Sequence, residues 1–310
     1  MQNTVTITKK RPLNMIVIQM VFVSVIWGGT FIAGRVIQSE IPPLLSATLR
    51  FLFASFSLIL VLFLGRIGWK RISMKQFCQI MVLGGSGVFI YQILFFYGLQ
   101  IIPASRAALL VAINPAMIAL ISFILWKEKI SIKKGIGISL CVIGAVILLS
   151  DKVPNTGNIM INKGDLAILG CVISWGIYTV AGKKVIQEIG ALHTVTYAVL
   201  FGTVLLILTS ICTQEINFGK LSLLSVGDLV SLSYLGILGS AIAYVWYYQG
   251  VSQLGAAGAG SFIALNPLSA VIIGTIFLNE KMSSMIILGG VLIILGIMLT
   301  NKKKTQQNSA

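Results

Sequence analysis

Stretches of about twenty apolar residues recur along this chain from one end to the other, and no other feature narrows its possible folds as much. A helix of that length crosses the hydrocarbon core of a bilayer. Ten windows qualify, with approximate limits 15–38, 44–64, 77–101, 107–126, 135–150, 165–182, 192–213, 228–250, 256–279 and 283–300. Between them the chain is short and polar. The expected fold is therefore all-α, a polytopic membrane protein of about ten transmembrane helices. Composition agrees: only 10% of the residues are charged, against about a quarter in a soluble domain.

The net charge of +15 could suggest nucleic acid, but Lys and Arg sit in the short gaps between windows and form no contiguous basic face. They report topology instead. With the N-terminus in the cytoplasm, sixteen basic residues fall inside, among them Lys9, Lys10, Arg11, Arg66, Lys70, Arg71, Lys75, Lys127, Lys183, Lys184 and Lys302 to Lys304; only Arg106, Lys152, Lys163, Lys220 and Lys281 fall outside. Both termini are thus expected on the cytoplasmic face of a cell membrane. The first window is too long for a signal-peptide core and no Ala-x-Ala site follows it, so it reads as a retained helix. Cys78, Cys141, Cys171 and Cys212 show no CxxC spacing and read as small apolar fillers.

The chain repeats itself. WGGTFIAGRVI from Trp27 matches WGIYTVAGKKVI from Trp175 at an offset of 148. At an offset of 152, Gly84, Gly87, Gly98, Asn114, Pro115, Glu128, Lys129 and Gly144 fall on Gly236, Gly239, Gly250, Asn266, Pro267, Glu280, Lys281 and Gly296. Residues 1–150 and 151–310 are the two copies. Each holds five helices, an odd number, so the second enters the membrane from the opposite face. Inverted repeats suit alternating access, in which two similar halves exchange conformations around a site near the midplane.

The paired WG starts, the NP followed fourteen residues later by EK in each half, and the ten windows resemble the EamA-like branch of the drug/metabolite transporter superfamily. The resemblance covers nearly the whole chain. It implies a secondary transporter of small metabolites, most often an exporter of amino acids or related compounds.

Several residues are candidates for a substrate path. Pro115 and Pro267 each remove a backbone N–H within a helix, freeing the carbonyls of Val111 and Ile263 and acting as hinges. Asn114 and Asn266 beside them carry amides that hydrocarbon penalises, so they face protein or a hydrated cavity; they either satisfy the bent backbone or line the path. Arg50 lies several residues inside a window, where an unpaired guanidinium costs a few kcal/mol. It either holds a substrate carboxylate or hydrogen-bonds carbonyls near the outer surface, and its repeat position is Ala198. Arg35, nearer its helix end, snorkels outward. Trp27, Thr30, Tyr91, Gln92, Trp175, Tyr178, Tyr244 and Tyr248 recur at matched helices and are expected to line a cavity, although Tyr and Trp also anchor helices at headgroups. Small-residue pairs such as Gly29 with Ala33 and Gly239 with Ala243 allow close helix approach. Glu128 and Glu280 read as aids to the starts of the following helices, with Ser131 and Ser283 as caps.

All eight acidic residues lie at window ends or in gaps, so nothing supports a carboxylate proton relay in the membrane. The chain has one histidine, His193, and no Walker A, HExxH or GxSxG motif. An enzyme is not expected, nor is a catalytic residue, a metal site or a cofactor. Few core cations argue against heavily phosphorylated cargo. The expected partners are a small neutral or zwitterionic substrate and membrane lipid, with a single chain sufficient for the work. The competing reading is a lipid flippase, which needs a cavity opening sideways between helices.

Overall fold

The computed structural model describes residues 12–37, 41–102, 104–128, 130–150, 162–215, 218–269, 272 and 284–301. Helices fill almost all of them. They are α1 (Leu13–Val36), α2 (Pro43–Leu64), α3 (Met74–Ile101), α4 (Ala104–Val111, then Asn114–Trp126), α5 (Ile132–Ser150), α6 (Lys163–Ile189), α7 (Ala191–Cys212), α8 (Val226–Leu254), α9 (Ala256–Ser261, passing through a 3-10 turn at Phe262–Ala264) and α10 (Ser284–Asn301). Among the described residues, α1, α2, α3, α6, α7 and α8 are each long and apolar enough to cross a bilayer as one helix. Large apolar side chains such as Phe22, Phe56, Leu64, Leu120 and Ile287 are exposed, as a surface facing lipid requires. That is why the windows are apolar all round.

Local chemistry sets the helix starts. Ser73 with Gln76, Asn162 with Asp165 and Ser225 with Asp228 form reciprocal capping boxes at α3, α6 and α8, each pairing backbone donors that the first turn leaves free. Pro43 occupies the first turn of α2, where its missing N–H costs nothing. The Ser131 hydroxyl accepts from the Lys134 amide at 3.4 Å, as expected of a cap. Lys129, Glu280, Lys281 and Ser283 lie outside the described residues, as does the Arg35 side chain.

Two expectations need correction. α6 does not end near 182 but continues to Ile189 and stops at Gly190, whose φ of +87° suits glycine. Lys183, Lys184 and Glu188 are therefore helical, and their long side chains reach neighbours across the end of the bundle. The second concerns the prolines. α4 ends at Val111 and restarts at Asn114, so Pro115 opens a new segment instead of interrupting one. In α9 the backbone tightens at Phe262–Ala264, just before Asn266 and Pro267, and the Ser24 hydroxyl donates to the Phe262 carbonyl at 2.8 Å.

The repeat is visible in these irregularities. α3 carries a π-helical segment at Gly84–Ile90 and α8 one at Tyr234–Ile242; at the offset of 152 the first falls within the second, ending with it. Within them, a Cβ on Gly84 would stand 2.6 Å from the Ala198 carbonyl of α7, and one on Gly236 would stand 2.4 Å from the Arg50 carbonyl of α2. The same backbone-to-backbone contact is thus made twice, with Arg50 and Ala198 as counterparts. The last helices of the two halves, α5 and α10, meet through glycine: a Cβ on Gly137 would lie 2.7 Å from the Gly296 carbonyl, and one on Gly144 would lie 2.7 Å from that of Gly289. Ten helices in two inverted five-helix repeats account for this arrangement.

Candidate functional site

A central cavity is walled by one or more residues from seven helices: Trp27, Thr30 and Phe31 of α1, Arg50 of α2, Tyr91 and Phe95 of α3, Val111 and Asn114 of α4, Trp175 of α6, Tyr244 of α8, and Ile263 and Asn266 of α9. Neither α5 nor α10 reaches it. Only about 30 Å³ is open to the centres of water molecules, room for two or three of them at about 10–15 Å³ each. The walls stand close together in this conformation.

Aromatic rings form most of the wall. Trp27 and Trp175, counterparts in the repeat, meet edge to face with centroids 5.2 Å apart. Trp175 also packs on Tyr244 at 5.1 Å and Tyr91 at 5.5 Å. Edge contacts of this kind contribute about 0.5–1.5 kcal/mol beyond burial. The Trp27 indole N–H donates to the Gly239 carbonyl at 2.9 Å, which fixes the ring against α8. Thr30 bonds back to the Trp27 carbonyl at 2.6 Å, while its methyl group faces Gly239, where a Cβ would come within 2.9 Å.

Arg50 supplies the charge. It is 3% exposed and lies seven residues into α2, roughly 10 Å along the helix at 1.5 Å per residue. Its Nε donates to the Ser240 hydroxyl at 2.9 Å and its Nη1 to Gln92 Oε1 at 3.0 Å. The Gln92 amide in turn donates to the Tyr244 hydroxyl at 3.3 Å. All of these partners are neutral. Among the described residues no carboxylate pairs with Arg50, so its charge is held by dipoles and by the Phe51 ring, whose centroid is 5.6 Å away.

Asn114 and Asn266 both line the cavity from the broken helices. They are 2% and 3% exposed, and the Oδ1 of each has no hydrogen-bond donor among the described residues.

Of the residues expected at a substrate path, Trp27, Thr30, Arg50, Tyr91, Asn114, Trp175, Tyr244 and Asn266 line the cavity, and Gln92 stands behind Arg50. Tyr178 and Tyr248 lie outside the lining. Each is one turn farther along its helix than Trp175 or Tyr244, and together they make a floor: the rings stack at 4.6 Å, and the Tyr248 hydroxyl donates to the Tyr178 carbonyl at 2.8 Å. Tyr247 joins them through a 3.1 Å hydrogen bond with Thr179. Five contributors were not foreseen, among them Val111 and Ile263, expected only as carbonyls freed by the prolines. Phe31 and Phe95 sit four residues after Trp27 and Tyr91, a same-face spacing that marks them in retrospect; Ser240 had only its place beside Gly239 as a signal.

Beyond the floor lies the basic end of the bundle, where α2 finishes and α3 begins. Here Glu128, after α4, ion-pairs with Lys183 of α6 and accepts from the Ser122 hydroxyl at 2.7 Å. This replaces the role expected for it at the start of the next helix. Burial pushes its carboxyl up, but the bonds from Lys183 and Ser122 and the charges of Lys183 and Lys134 outweigh that and hold it below its usual range. The Trp126 indole donates to the Val180 carbonyl at 3.3 Å, and Lys184 lies 3.8 Å above the Trp126 ring. Nearby, Lys70 donates to the Ile189 carbonyl at 2.9 Å and Gln76 to Glu188 at 2.6 Å. This end is closed by polar bonds and the cavity floor by rings.

The EamA-like transporter family model matches residues 14–150 and again 162–302. The chain is 30% identical over 283 residues to the uncharacterized transporter YetK of Bacillus subtilis, covering 91% of this chain and 85% of that one. It is 28% identical over 306 residues to the uncharacterized transporter YyaM of the same organism, covering 96% and 99%. A probable terminal-alkyne amino-acid exporter of Streptantibioticus cattleyicolor is 26% identical over 247 residues, 80% of each chain. A solved crystal structure superposes with a TM-score of 0.75 over 93% of this chain and 98% of the other at 19% identity, a likeness of fold.

Proposed function

Since this chain belongs to the EamA-like transporter family, we propose that it exports amino acids or closely related small compounds by alternating access, with Arg50 holding the substrate carboxylate. The observation that carries this reading is a buried guanidinium on an aromatic cavity with no carboxylate partner among the described residues. A cation so placed is held at some expense of free energy, and an incoming carboxylate offsets it through charge-assisted bonds. Aromatic walls suit an apolar or aromatic side chain. The probable terminal-alkyne amino-acid exporter among the relatives supports the substrate class. Basic residues gather at the closed end, which the positive-inside rule assigns to the cytoplasm; the cavity then lies toward the outer face in this conformation.

The test is efflux from proteoliposomes loaded with labelled amino acids. Saturable exit of selected compounds is expected, falling at least tenfold in Arg50→Gln at equal amounts of folded protein. Exit unaffected by Arg50→Gln contradicts the carboxylate role, and no exit of any amino acid contradicts the substrate class.

A further inference from the structure

We infer that Asn114 and Asn266 together receive the ammonium group of a zwitterionic substrate, so that the cavity reads an α-amino acid by both of its charged ends. The inference rests on the transport reading above and adds a second pole to it.

Buried polar atoms in native proteins are almost always paired, and an acceptor left without a donor calls for an explanation. Of several such atoms among the described residues, two are acceptors that line the cavity, the Oδ1 atoms of Asn114 and Asn266, each on a side chain at most 3% exposed. They occupy equivalent positions in the two halves, on the two helices whose regular winding is interrupted beside them. A carbonyl-type oxygen can only accept, so what it lacks is a hydrogen-bond donor or a cation, and a substrate ammonium group is both. The rings of Trp27, Trp175 and Tyr244 line the same cavity, and aromatic rings attract an ammonium group through their quadrupole. The cavity lining has no carboxylate, so the one charge a free amine would meet in it is that of Arg50, of like sign. A zwitterion meets Arg50 with its carboxylate and the asparagines with its ammonium group.

Binding to purified full-length protein separates the two poles. The probe is labelled L-phenylalanine, competed by 3-phenylpropionate, which lacks the amine, and by 2-phenylethylamine, which lacks the carboxylate. Both competitors are expected to be at least tenfold weaker than unlabelled L-phenylalanine. Asn114→Leu and Asn266→Leu should erase the preference over 3-phenylpropionate while leaving 3-phenylpropionate bound. If those variants do not accumulate, Asn114→Asp and Asn266→Asp decide it: they should strengthen 2-phenylethylamine binding at least tenfold, and unchanged binding overturns the inference. Equal competition by L-phenylalanine and 3-phenylpropionate in the natural protein overturns the ammonium pole alone and leaves the Arg50 reading standing. If the Leu variants keep the preference but lose a dependence on Na+ that choline cannot replace, the asparagines hold a metal ion and the inference is wrong. If no phenylalanine binds or moves, both readings fall together.

Discussion

Arg50 shows how much a single residue can be specified by its neighbours. Gln92 and Ser240 take two of its N–H donors and orient the fork, while the remaining edge has no acceptor among the described residues. Its repeat counterpart, Ala198, makes the same backbone contact with Gly84 that Arg50 makes with Gly236. The shared part of the position is packing and the unshared part is charge. Ser240→Ala should therefore loosen Arg50 without removing it: apparent affinity for the carboxylate substrate is expected to drop at least about tenfold, as loss of one hydrogen bond to a charged group implies, with maximal rate little changed. Concentration-dependent efflux measures this. At this scale the sequence was informative about residue type and depth. It marked Arg50, Asn114, Asn266 and the tryptophans because each is costly or bulky in lipid. It could not tell wall from floor, so Tyr178 and Tyr248 were expected beside Trp175 and Tyr244. One turn along a helix changes which helices are adjacent, and that is a property of packing.

Helices, more than residues, carry the closure at the basic end. α4 and α6 are joined there by Glu128 with Lys183, by Lys184 over Trp126 and by the Trp126 bond to Val180. The ion pair is substantially exposed, so it is worth no more than about 1 kcal/mol. That is enough to bias two conformations of similar energy. Glu128 has its pKa lowered by its partners; such a group stabilises the closed end fully above the ordinary carboxylate value of about 4.3 and loses that contribution only as pH falls through its depressed value. Closure should thus be insensitive to pH between about 5.5 and 8. Glu128→Gln should raise labelling of a Thr30→Cys cavity reporter from the basic end at neutral pH, and equal labelling in the two proteins would mean the pair does not hold α4 to α6. The spans themselves were legible from hydropathy, and the capping boxes can be read directly from Ser73, Asn162 and Ser225. The π-helical segments and the break before Asn114 were not. The π-helical segments arise where glycine lets two backbones touch, and no periodicity within one helix records its neighbour.

For the molecule as a whole, the two halves share their interruptions as well as their helices, and the offset of 152 that aligned Asn114 with Asn266 also aligns the two π-helical segments. The repeat was the part of the architecture most readable in advance, because glycine, asparagine and proline mark the places where regular winding fails. The narrowness of the cavity was not readable, since it reflects which conformation the halves adopt.

The glycine seam between α5 and α10 has a mechanical consequence. Two backbones in direct contact at Gly137 and Gly144, with Cys141 buried between them against the Ile293 carbonyl at 3.7 Å, cannot slide without colliding, and neither helix touches the cavity. If the protein works by alternating access, this pair is expected to be the stator about which the other helices turn. Joining Cys141 to a cysteine introduced by Ile293→Cys should accordingly leave efflux at close to its full rate before and after oxidation, whereas an engine whose rotor had been pinned would stop.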